Sequence, residues 1–270
     1  MIIDFHTHIF PEIIATKTIA HLEQFGNVTA HTNGMLTGLK LSMREANITT
    51  SVILPVVTKP SQFETINNYA ASITGEDGII SFGGIHPDSM DYRKELDIII
   101  SLGLKGIKLH PDYQNVFIDD ERYIRIIQYA IDHNLIVSIH AGIDIGIPEP
   151  VHCPPKRALT MIKQVLTHTT NQDPKIVLAH TGGYGQWYEV EQYLVGQKVY
   201  FDISYSLPII TNEQLIRIIR KHGYERILFA TDSPWAGQKE TVEFVLKLEL
   251  SNEEKEAILY KNAMKLLQIE

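Results

Sequence analysis

Short apolar runs alternate with longer stretches of mixed character along the whole chain. Runs rich in Ile, Val and Leu fall at 2–5, 51–57, 79–85, 104–109, 135–139, 175–179, 199–203 and 226–230. Their near-continuous apolar content predicts strands covered on both faces, as in a parallel sheet. The stretches between them read as helices. Asp119 or Asp120 is placed to cap a helix whose Ile124, Ile127 and Ile131 share one face. Thr211 with Gln214, and Ser251 with Glu254, have capping-box spacing, and Gly223 stands where the first of these helices would stop. Strand then helix, repeated along the chain with right-handed crossovers, predicts a closed (β/α)8 TIM barrel. The alternative is an open doubly wound sheet, but no Gly-rich phosphate loop follows the first strand.

The chain contains no repeat, low-complexity tract or linker, so residues 1–270 are expected to form a single domain, a length suited to one such barrel. The connection from 10 to 50 is long enough to hold extra helix. The stretch 141–155 is rich in Gly and Pro and is the expected active-site loop.

Composition narrows the partners. The formal net charge is −8 and no basic stripe is present, which argues against nucleic acid. No apolar run approaches the ~20 residues that cross a bilayer. Opening directly on a strand, with no basic n-region and apolar h-region, predicts no signal peptide. The single cysteine, Cys153, excludes an internal disulfide and fits a reducing compartment. The expected location is the cytoplasm.

The chemistry gathers at the predicted strand ends, where a barrel of this kind places its functional residues. His6 and His8 close the first strand; alternate strand residues lie roughly 6.5 Å apart on one face, so both rings can reach one ion. His140 closes the fifth strand, His180 the sixth and Asp232 the eighth. Any one of these histidines taken singly reads as an ordinary hydrogen-bonded loop residue. Together, four imidazoles and a carboxylate suit a divalent transition metal, zinc first, with manganese or iron as alternatives. Lys108 ends the fourth strand in "GIKLHP". His86 and His110 each precede a proline at a strand end, and His152 lies in the Gly/Pro-rich loop; these three are expected to contact substrate or to hydrogen-bond the residues that do. Cys153 has no evident base and is expected to be inert. His21, His31, His133, His168 and His222 are expected at the surface, and Tyr184, Trp187 and Trp235 either line the mouth or pack.

The wordings "DFHTHIFPE", "VSIHAG", "VLAHTGG" and "LFATDSPW" resemble the amidohydrolase superfamily over nearly the whole chain. They are most similar to its amidohydrolase-related branch, which includes aminocarboxymuconate-semialdehyde-decarboxylase-like enzymes and carries no small β-sandwich. The resemblance implies that His6, His8, His140 and Asp232 bind metal, with His180 holding a second ion or orienting substrate and water. It implies one of two roles for Lys108: a carboxylated amine bridging two ions, or an ammonium that anchors an anionic substrate group.

The implied activity is that of a metal-dependent hydrolase. A divalent ion activates water, Asp232 takes its proton and returns it to the leaving group, and the metal or His180 stabilises the oxyanion. The expected substrate is a small, anionic amide, lactone or related carboxyl derivative. Non-oxidative decarboxylation of a small carboxylate is the alternative, since one barrel hosts many chemistries. A metal-dependent nuclease or a non-catalytic metal-binding protein ranks lower. Barrels of this type often dimerise, which leaves a homodimer open, and the sequence does not fix the oligomeric state.

Overall fold

The computed structural model describes residues 1–169, 171, 173–207 and 209–269; the predicted surface histidine His168 has its side chain outside the described set. In chain order the first elements are β1 (Ile3–Thr7), α1 (Glu12–Gly26), α2 (Leu36–Glu45), β2 (Thr50–Ile53), α3 (Phe63–Ile73), β3 (Ile79–Ser81) and β4 (Gly83–Gly84). There follow α4 (Tyr92–Ser101), β5 (Gly106–Leu109), α5 (Pro111–Gln114), α6 (Glu121–Asp132), β6 (Ile136–Ile139), α7 (Pro155–His168) and β7 (Ile176–Leu178). The last are α8 (Trp187–Tyr193), β8 (Tyr200–Asp202), α9 (Asn212–His222), β9 (Ile227–Leu228), α10 (Gln238–Lys247), α11 (Asn252–Glu256) and α12 (Asn262–Leu267). Among the described residues no helix is long and apolar enough to cross a membrane.

Each predicted apolar run carries strand, and the long first connection holds α1 and α2. The predicted caps form as well. Asp120 accepts from the Arg122 amide, Thr211 accepts from the Gln214 amide, and Ser251 with Glu254 makes a reciprocal capping box. One run departs from expectation: 79–85 breaks at Phe82 into β3 and β4. Just past the break, a side chain holds the backbone of β4. The Asn67 amide accepts from Gly84 N at 2.9 Å and donates to Gly84 O at 2.9 Å, satisfying both backbone groups of that residue. His222 also departs from expectation, being buried rather than at the surface. It continues the stripe Leu215, Ile218, Ile219 along the inner face of α9.

The chain forms two compact units. The first comprises Met1–Ile53, Gly75–Ile80 and Asp202–Glu270. Its sheet has the order β1-β2-β3, with β1 and β2 parallel. The other edge of β1 is covered by the segment after β9: Phe5 N donates to Phe229 O (2.9 Å), Asp232 N to His6 O (2.8 Å) and His8 N to Ser233 O (2.6 Å). The register slips between Asp4 and Thr7, where β1 spends one residue more than β2 does between Ser51 and Ile53. Such a bulge re-aims the side chains beside it, and His6 stands within it.

The second unit comprises Leu54–Thr74 and Ser81–Phe201. Its parallel strands follow the order β4-β5-β6-β7-β8, in register through Gly84↔Lys108, Lys108↔Ser138, Ser138↔Val177 and Val177↔Tyr200. Ile107, Leu109, Val137, Ile139, Val177 and Leu178 are fully buried, as strands covered on both faces require. After β5 the chain turns through α5, and the buried amide of Gln114 fixes that turn. It accepts from His110 N (3.1 Å) and from the Tyr123 hydroxyl (2.6 Å), and donates to Val57 O and Ile85 O, each at 2.8 Å. Gln114→Leu is therefore expected to leave four buried polar groups without their partner and to cost about 3 kcal/mol of stability. Urea unfolding of the wild type and the variant measures this, and a loss within about 0.5 kcal/mol would contradict the role given to Gln114.

Candidate active site

In the first unit the β1 bulge and the segment after β9 bring His6, His8 and Asp232 together, each offering one donor atom to a common point. The His6 and His8 Nε2 atoms are 3.1 Å apart, and Asp232 Oδ1 lies 3.3 Å from the first and 3.1 Å from the second. Atoms bound at about 2.1 Å to one ion stand roughly 3.0–3.4 Å apart, so the set fits a divalent metal. The reverse edge of His6 supports the same reading. Its Nδ1 is 3.1 Å from Asp202 Oδ2 and 3.0 Å from Ser204 Oγ. A carboxylate only accepts, so it fixes the proton on Nδ1 and leaves the Nε2 lone pair toward His8 and Asp232. Asp202 is itself held by the Ser204 amide at 3.1 Å and by the Ser204 hydroxyl. Asp232 adopts a left-handed backbone (φ 70°), a conformation that costs energy and must be held by its surroundings. Tyr205 stands near enough that burial, with the Asp232 charge added, raises its phenol above the usual range.

Beneath this set lies Asp4, fully buried. Its Oδ1 accepts from Thr231 N (2.9 Å) and His6 N (3.3 Å), and its Oδ2 from the Thr231 hydroxyl (2.6 Å) and Gln238 Nε2 (2.7 Å). Burial pushes its carboxyl up to about 7 against the pull of these donors.

In the second unit His110, His140 and Asp144 likewise converge. The His110 ring is sandwiched between Tyr113 and His140, each 4.1 Å away and nearly parallel. His110 Nδ1 accepts from Tyr113 N at 3.4 Å, which leaves the proton on Nε2, 3.5 Å from Asp144 Oδ2. Asp144 Oδ1 is taken by the amides of Gly146 and Ile147. His140 Nδ1 faces His180 Nε2 at 3.0 Å. Two loops cross to make this pair possible: Gly142 N–H bonds Cys153 O, while Ile143 N bonds Tyr184 O and Tyr184 N bonds Ala141 O. Gly142 has φ +86°, and a Cβ there would meet Tyr184 N at 2.1 Å, so only glycine permits the crossing. His180 and Thr181 follow in the left-handed region, and Trp187 donates its indole N–H to His180 O at 3.1 Å.

The remaining predicted residues are spread through the second unit. Lys108 is buried on β5. His86 Nδ1 accepts from Asp88 N at 3.1 Å, and burial lowers its pKa. His152 is buried and bonds Asp112 Oδ1 through both its amide (3.0 Å) and its Nδ1 (3.1 Å). Burial, foremost, raises the Asp112 carboxyl. Burial also raises the Cys153 thiol well above its ordinary range, which agrees with an inert role. Sequence reasoning passed over Asp202, Asp112 and Asp144. The signal for Asp202 was its position at a strand end, in "YFDIS"; Asp112 and Asp144 lay in loop wording that many acidic residues share.

The sequence matches the Amidohydrolase family over residues 3–269, and the chain belongs to that family. No curated protein matches it. Among solved structures it is similar to an uncharacterised TIM-barrel protein from Bordetella bronchiseptica, at 20% identity and TM-score 0.75 over 99% of this chain and 98% of that one. It is similar to a dihydroxybenzoic acid decarboxylase from Polaromonas sp. with bound manganese and the inhibitor 2-nitroresorcinol, at 15% identity and TM-score 0.72 over 99% and 96%. A probable 2-pyrone-4,6-dicarboxylic acid hydrolase from Acinetobacter baumannii, with citric acid bound, gives 14% identity and TM-score 0.69 over 99% of each chain. These likenesses establish the fold class, a (β/α)8 TIM barrel.

Asp4 gives this site a pH signature. Its carboxyl is raised to about 7 in the fold and returns to near 3.9 when unfolded. Between those values the folded protein binds the extra proton, so this group's contribution to stability falls as pH rises from about 4 to about 7. Asp4→Asn should remove that part of the slope, so that the difference in stability between wild type and variant changes across this window and levels off above it. Parallel unfolding curves at pH 5, 6, 7 and 8 measure it; a constant difference would contradict a titrating Asp4.

Proposed function

We propose that the chain is a metal-dependent enzyme that hydrolyses a small, anionic carboxyl derivative, with His6, His8 and Asp232 holding the ion. The observation that carries this reading is the triangle of donor atoms at 3.1–3.3 Å, backed by Asp202 on His6 Nδ1. Zinc suits these ligands, and manganese suits them too; the Polaromonas neighbour carries manganese. A divalent ion there supplies Lewis acidity toward water and carbonyl oxygen alike. Asp232 serves as base and then acid, accepting a proton from the attacking water and delivering it to the leaving group. His6, with its proton held on Nδ1, turns its Nε2 lone pair toward His8 and Asp232 for ligation.

The ligand set implied by resemblance extends to Lys108, His140 and His180, and His180 is also assigned a catalytic part. In support, the His140 Nδ1 and His180 Nε2 atoms lie 3.0 Å apart, a separation suited to sharing a cation or a proton. The substrate-binding roles proposed for His86 and His110 gain support from their backbone bonds, which direct an Nε2–H outward from each ring. The role proposed for His152 places it beside Asp112. One domain over 1–270, working in the cytoplasm, completes the reading.

Non-oxidative decarboxylation is the second reading, and the several decarboxylases among the fold neighbours support it. Elemental analysis should find at least one divalent ion per chain, most of it lost in the His6→Ala plus His8→Ala double variant. Asp232→Asn should keep much of the metal and lose about 10²- to 10⁴-fold in turnover. A panel of lactones, cyclic amides, aryl carboxylates and phosphodiesters tests the reaction. Carbon dioxide release from an aryl carboxylate, with no hydrolysis in the panel, selects the second reading. Activity confined to phosphodiesters, a fully active Asp232→Asn enzyme, or a double variant as loaded as wild type would overturn both.

A further inference from the structure

We propose that Asp112, clamped by His152, is the positioning carboxylate of His140, fixing the proton of that ring on Nε2. Asp112 is 3% exposed, and its two oxygens have unequal surroundings. Oδ1 accepts from the His152 amide at 3.0 Å and faces His152 Nδ1 at 3.1 Å, which sets the plane of the carboxyl group. Oδ2 is buried and receives no hydrogen bond from any described residue. An acceptor buried in this way is costly unless it has a use. Oδ2 points to the ring edge of His140, with Nε2 3.8 Å away. That is too long for a hydrogen bond, and a small turn of the ring closes it.

The opposite ring nitrogen gives this contact its consequence. His140 Nδ1 faces His180 Nε2 at 3.0 Å. With the proton kept on Nε2, Nδ1 presents a lone pair on that side. Electron donation from the carboxylate then makes Nδ1 a better base and ligand, as second partners of metal-bound histidines do. The first unit contains the same device at closer range, with Asp202 Oδ2 3.1 Å from His6 Nδ1. Asp112 is also held from the main chain: it sits in the first turn of α5 after Pro111, and Gln114 of the same turn is anchored to Val57 and Ile85. This proposal rests on the reading in which His140 and His180 ligate metal or move a proton.

Long-range proton–nitrogen spectra of protein labelled with nitrogen-15 histidine report the His140 tautomer directly. The wild type is expected to carry the proton on Nε2, and this observation needs neither a variant nor a bound metal. Asp112→Asn is expected to shift His140 toward a mixture of tautomers. It is also expected to speed loss of metal from the purified holoprotein to EDTA by about 10- to 100-fold. Asp112→Glu, which restores a carboxylate, should recover the Nε2–H form. A wild-type His140 protonated on Nδ1 overturns the proposal, as does an Asp112→Asn protein whose tautomer and release rate both match wild type. Wild-type protein that binds no metal yet shows the Nε2–H tautomer would overturn the metal reading and leave the positioning role in place.

Discussion

A carboxyl group taken fully out of water is expensive unless donors replace the water it loses, and Asp4 has four of them. The Thr231 amide and hydroxyl, the Gln238 amide group and the His6 amide all converge on it. These bonds tie β1 to the segment that carries Asp232, at the point where β1 bulges. Without them the bulge would be free to relax into regular pairing. A one-residue slip in a strand exchanges the faces of its side chains, which would turn His6 away from Asp232. The triangle of donor atoms is thus a consequence of a buried network one layer below it. The left-handed backbone at Asp232 is held by the same layer, through Asp232 N to His6 O and Trp235 N to Asp232 O.

The second unit reaches a comparable result by other means. Its rigid part is the run His110-Pro111-Asp112-Tyr113-Gln114, in which proline starts the turn, Tyr113 stacks on His110, and Gln114 spends its amide on four partners. Backbone bonding to the Nδ1 atoms of His86 and His110 chooses a tautomer for each ring before any ligand arrives. Preorganisation of this kind spares a binding event the cost of ordering the groups. Burial lowers the pKa of His86 even with Asp88 beside it.

How much of this was legible in the sequence depends on whether a residue acts by type and position or by partner. The convergence of His6, His8 and Asp232 was legible because all three fall at strand ends, where a barrel gathers its side chains. The caps at Asp120, Thr211 and Ser251 were legible because they are local. The bonds from Asn67 to Gly84 were not, since the two residues lie 17 positions apart. Asp202 and Asp112 act through residues distant in the chain, Asp202 being 196 positions from His6 and Asp112 40 from His152. The one local mark on Asp202 is its place at a strand end, and Asp112 has none. His222 differs from expectation for a simpler reason. A histidine on a helix reads as polar, although its spacing from Ile218 and Leu215 continues the apolar stripe.

Hydrolysis and decarboxylation make nearly the same demands on these residues, and this explains why the fold supports both. Each requires a cation beside an anionic or electrophilic carboxyl carbon and a group that gives up a proton late in the reaction. They differ in what must reach that carbon. Hydrolysis needs a water delivered to it with a base alongside, whereas decarboxylation needs water kept away and a proton delivered to the carbon that the carboxyl leaves. Asp232, with its side chain 11% exposed, retains some contact with solvent, while Asp202 behind His6 has none. A base that can exchange its proton with solvent suits repeated cycles of taking a proton from water, and the sealed Asp202 suits a fixed one.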